Sequence, residues 1–125
     1  MVIDINSRDL EKIIIHELMH LMEYRIMNEN KNYFDKWTEY NPPDFKYFDS
    51  YTKLGENKYT AKEEDTQNVY FVDDYSLTFD SEDRAMIFAM GLINRDFFDE
   101  YPHIIVKYNY LITLLNDFYK ENIIK

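Results

Sequence analysis

From Leu10 to Met27 the run "LEKIIIHELMHLMEYRIM" contains no proline and no glycine, so nothing breaks one long helix there. Leu10, Ile13, Ile14, Leu18, Leu21, Met22 and Ile26 recur at spacings of three and four and predict its buried face. Ser7 is the predicted N-cap, because its hydroxyl can accept from an orphan backbone N–H, and Asp9 and Glu11 suit the positive end. Asn28 to Asn32 reads as the polar end of the element.

From 31 to about 80 the helical period is lost. This stretch holds Pro42, Pro43 and Gly55 and many aromatics, among them Trp37, Phe45, Tyr47, Phe48 and Tyr51. "FKYFDSY" and "NVYFVDDY" each predict a short strand, and "KLGENKYTAKEEDTQ" a surface loop. A connection this long in a small protein is usually functional. Asp80 or Ser81 is the predicted cap of a second helix through "EDRAMIFAMGLI", with Asp80 and Asp83 in a capping-box-like spacing. Asn94 to Asp99 punctuates it. Pro102 suits the first turn of a third helix, whose face is Ile104, Ile105, Tyr108, Leu111, Ile112, Leu115, Phe118 and Tyr119. The expected class is mainly α, α+β at most: three main helices, a long irregular aromatic connection and few short strands, in a single domain over 1–125.

Composition removes several functions. A chain of 125 residues, 46% hydrophobic, has enough apolar mass for one core and is far from the disordered class. A formal net charge of −10 repels phosphate backbones and anionic bilayers, so nucleic acid is not an expected partner. No run approaches the roughly 18 apolar residues of a spanning helix, and no signal peptide follows Met1. With no cysteine, any metal must be held by His, Asp, Glu or water.

Two of the three histidines fall in "HELMH". On a helix His16 and His20 lie one above the other and can bite one metal ion, with Glu17 beside them. Burying two imidazoles and a carboxylate without partners would cost several kcal/mol, which favours ligation over simple core packing. Zinc is the expected ion. A catalytic zinc takes three protein ligands and leaves a position for water, whose proton a non-ligating carboxylate such as Glu17 can remove. The strongest candidate for the third ligand is Glu82, in the first turn of the second helix, although acidic residues are ordinary there. His103 starts a helix with no partner motif and reads as a core histidine.

"HELMH" followed by a helix opening with "SEDRA" resembles the gluzincins, zinc metallopeptidases whose ion is held by both motif histidines and a downstream glutamate. More narrowly, Tyr75 in "VDDYSLTFDSED" and the segment "FDKWTEYNPPDFKYF" resemble the anthrax lethal factor branch and the related zinc-dependent peptidases of low-GC Gram-positive bacteria. The resemblance touches residues 13 to 90. It implies a zincin-like core with His16, His20 and Glu82 as zinc ligands and Glu17 as general base. Tyr75 would donate its hydroxyl to the oxyanion formed when water attacks a peptide carbonyl, with Tyr70 as its rival. A peptide or protein would be the substrate, and the parent would be secreted or attached to the cell surface.

Two departures stand out. Gluzincins commonly carry an acid four residues after the third ligand; here the position is Met86, leaving Asp83 or another carboxylate to support the ligand histidines. Only 15 residues precede His16, so Val2 to Ile5 supply one strand at most, and the chain reads as a compact or truncated catalytic core. The expected function is a zinc-dependent peptidase, with a catalytically impaired zinc-binding module as its alternative and a metal-free helical interaction domain as a third reading.

Overall fold

Three long α-helices dominate the architecture: α1 (Ser7–Glu29), α2 (Asp80–Ile93) and α3 (Pro102–Ile123). The computed structural model describes residues 7–51 and 59–123, with side chains from 9–51 and 59–120. The Val2 to Ile5 strand, the Ser7 hydroxyl, Gly55 and the start of the predicted 53–67 loop lie outside the described residues or side chains. Four short 3-10 segments, Trp37–Tyr40, Thr66–Asn68, Asp74–Leu77 and Arg95–Glu100, complete the described helical structure. The mainly helical expectation holds. No helix among the described residues is long and apolar enough to cross a membrane.

Of the predicted face of α1 only Met22 and Ile26 turn inward. Met19, Glu23 and Ile26 are buried, with Ile15, His16, His20, Met22 and Met27 partly so, while Leu10, Ile13, Ile14, Leu18 and Leu21 are exposed, Leu21 to 68%. At about 100° per residue, the two stripes lie roughly 170° apart around the axis. Ile15, Met19, Met22 and Ile26 form a second apolar stripe beside the exposed one, so periodicity offered two faces. The one carrying His16, His20 and Glu23 turns inward because α2 supplies a partner for each of those polar groups.

Helix α2 begins one residue earlier than the predicted caps. Phe79, in extended conformation, is the N-cap, and its carbonyl accepts from the N–H groups of Glu82 and Asp83, each at 3.1 Å. Asp80 instead accepts from Ser81 N at 2.9 Å and from Arg84 at 3.0 Å. Asn94 ends the helix and Pro102 opens α3. Gly91 lets those two helices meet: a Cβ there would lie 2.1 Å from Cε1 of the Tyr108 ring.

Neither predicted strand forms. Among the described residues the only β pairing is an isolated parallel bridge between Thr60 and Phe71. The aromatics of 45–51 and 68–75 pack on one another rather than lining a ladder, as in Phe45 on Phe71, with ring centroids 4.5 Å apart. Trp37 sits at the centre of this packing, fully buried, beside Tyr110 of α3 and beneath the cations of Arg84 and Lys107.

Candidate metal centre

The contact of α1 with α2 brings His16, His20 and Glu82 together. Their spacing puts both imidazoles on the inward stripe of α1, and the first turn of α2 aims the Glu82 carboxylate at them. His16 Nε2 and His20 Nε2 are 3.1 Å apart, Glu82 Oε1 is 3.5 Å from His16 Nε2, and it contacts His20 Nε2 directly. Glu82 is only 2% exposed, so its charge has little water to lean on. Burial pushes His16 below its ordinary value of 6.5, against the opposing pull of Glu82, and so favours the neutral ring that a metal requires.

Three donors at these separations fit a zinc ion. Bond lengths of about 2.0–2.1 Å in tetrahedral geometry put neighbouring ligand atoms roughly 3.3 Å apart, close to two of the three observed edges. The third edge, His20 to Glu82, is a hydrogen-bonding contact that must open to admit the ion. Glu17 is also near the pair: the ligand atoms of His16, Glu17 and His20 fall within 4.8 Å of one another, but Glu17 is exposed. It lines a cleft of about 370 Å³ together with His16, Ile13, Asp73, Tyr75 and Met86.

Tyr75 stands in the 3-10 segment Asp74–Leu77, its ring centroid 6.2 Å from that of His16. Its hydroxyl is pushed upward by burial and by a hydrogen bond and charge interaction with Glu82, so it is a protonated donor at neutral pH. The Tyr51 ring stacks on it at 5.6 Å. Tyr70, the rival, stacks instead on His103 at 3.9 Å, at the head of α3.

Asp83 does not support a ligand histidine. It turns away from the cleft, and its Oδ2 accepts from Lys107 Nζ at 2.6 Å, Tyr47 Oη at 2.7 Å and Trp37 Nε1 at 3.1 Å. Burial pushes the Asp83 carboxyl up and the Lys107 ammonium down, each opposed by the other's charge. Met86 is buried beside His16 and offers no carboxylate.

A second ion pair lies behind the cluster. Arg84 Nε and an Nη donate to the two oxygens of Glu23 at 2.5 and 2.9 Å, and that same Nη donates to Asp80. The sequence reading missed Glu23, Arg84 and Lys107, although the first and last left a trace. Glu23 lies three residues after His20 on the same stripe, and Lys107 interrupts an apolar run, "HIIVKYNYLI". Comparisons with protein-family models, with curated proteins and with solved structures returned no match.

Proposed function

We propose that this chain is a zincin-like metallopeptidase core of gluzincin type, hydrolysing peptide bonds in a peptide or protein substrate. The observation that carries the reading is the buried carboxylate of Glu82, delivered by a separate helix into contact with both histidines of the "HELMH" motif. His16, His20 and Glu82 would hold the ion, and no other described group places a nearly buried carboxylate on this pair. Zinc, when bound, supplies Lewis-acid polarisation and makes water a nucleophile near neutral pH.

The remaining work belongs to side chains in the cleft. Glu17, exposed beside His16, takes the proton of the attacking water and returns it to the leaving amine. Tyr75, held protonated, donates its O–H to the developing oxyanion. The cleft lined by His16, Glu17 and Tyr75 is open enough for a backbone to approach. Met86 favours a second reading, a zinc-binding module with impaired catalysis, because it leaves the histidines without a carboxylate at that position.

Glu17→Gln separates the two. The expected result is one zinc per chain, as in the parent, with cleavage of an unstructured protein substrate abolished. Zinc lost together with activity, or activity kept, refutes the assigned roles. A parent that binds zinc fully and cleaves nothing supports the second reading.

A further inference from the structure

Glu82 meets the histidines only while α1 and α2 keep one register, and the two residues that follow it are each anchored to a different neighbour. Asp83 is tied to α3 and the aromatic connection, and Arg84 to α1. We propose that the Glu23–Arg84 fork is a positioning device for the metal centre, fixing the height and rotation of Glu82 against His16 and His20. The inference rests on the metal-centre reading above.

Geometry carries it. Glu23 stands one turn beyond His20 on the same stripe of α1, and Arg84 two residues beyond Glu82 in the first turns of α2. Two bonds, at 2.5 and 2.9 Å, fix an orientation as well as a distance, which a lysine could not do. The guanidinium is also held by Asp80 at 3.0 Å and by the Phe34 ring, 4.3 Å from Cζ, so its plane has little freedom. A one-residue slip of α2 would swing Glu82 by about 100° and shift it by about 1.5 Å, away from both rings.

Stability alone gives little reason for such a pair. Apolar residues of similar volume usually serve as well as a buried ion pair, and here one guanidinium nitrogen, Nη1, is buried with no hydrogen-bond partner. What the fork adds to apolar packing is a pair of directional bonds that index one helix against the other. The fork therefore acts on the ligand set through Glu82, without touching ion or substrate.

The test uses the whole chain and two variants, Glu23→Met/Arg84→Met and Arg84→Lys. Zinc affinity is measured by competition with a chromophoric chelator, cobalt(II) absorption reports ligand geometry, and circular dichroism with thermal unfolding reports the fold. Glu23→Met/Arg84→Met is expected to keep its helical spectrum, bind zinc about 10–100-fold more weakly and show an altered cobalt spectrum. Arg84→Lys, which keeps the charge but loses the fork, is expected to fall between it and the parent, and decides the matter if the double variant does not fold. Parental affinity with an unchanged cobalt spectrum in either folded variant overturns the positioning role and leaves the metal centre standing. A parent protein that binds neither ion overturns the metal-centre reading and the positioning role with it.

Discussion

Replacing Lys107 by methionine removes the only cation bonded to Asp83 among the described residues while nearly conserving volume. Both side chains are 0% exposed, so the variant strands a carboxylate with two neutral donors, Trp37 and Tyr47. Breaking a buried pair from one side costs about 3–5 kcal/mol. At roughly 3–5 °C per kcal/mol for a domain of this size, the unfolding midpoint should fall by roughly 10–20 °C. The pH dependence carries the sharper information. Asp83 already titrates above the ordinary 3.8 in the fold, so between 3.8 and the raised value the native state holds a proton that the unfolded state has released. Stability therefore declines as pH rises through that window, and losing Lys107 lifts the carboxyl further. The penalty measured by urea unfolding should be smaller at about pH 5 than at about pH 8. Adding Asp83→Asn, which retains an acceptor for Trp37 and Tyr47, should recover about half of the loss or more. A cost below about 1 kcal/mol, or one that does not grow with pH, would refute the idea that an uncompensated buried charge is responsible.

Gly91→Ala should destabilise by about 1–3 kcal/mol despite alanine's better helix propensity, because the new methyl meets the buried Tyr108 ring; a raised melting temperature would contradict the packing. Leu21→Glu should change stability by less than about 0.5 kcal/mol, whereas Ile26→Glu should cost several, and equal effects in chemical denaturation would mean that α1 faces the other way. Tyr75→Phe should keep one zinc per chain and lower kcat by about 10²–10³-fold if the hydroxyl serves the oxyanion, with metal stoichiometry and steady-state kinetics as the checks. Zinc at about 100 times its Kd should raise stability by about 2.7 kcal/mol and chelation should reverse this, which calorimetry reads directly.

The helices were legible because their signals are local. Caps aside, the runs 10–27, 82–93 and 102–119 emerge as predicted, and Pro102 opens α3. The choice of face on α1 was not legible: a helix with two apolar stripes shows its inward side only when the partners of Glu23 and the histidines are known, and those partners lie on α2. The absent strands have a similar cause, since alternating aromatics in 45–51 and 68–75 satisfy a pleat and a cluster equally well. At the site, spacing pointed to His16 and His20, and the first turn of the second helix with the gluzincin resemblance to Glu82; the fold brings the three into contact, whereas Asp83, one of the carboxylates offered to support the histidines, is engaged by partners 24, 36 and 46 residues away.

Those separations also bear on how the molecule comes into being. Glu23 and Arg84 stand 61 residues apart, and no shorter segment contains both halves of the cluster at the α1–α2 contact. Closing loops of that size is entropically unfavourable until many contacts form at once, so the helices can appear early while this corner waits for near-complete collapse. A chain emerging during synthesis would carry "HELMH" for some sixty residues before Glu82 exists to join it. The contact that joins Glu82 to His16 and His20 is thus among the last to form.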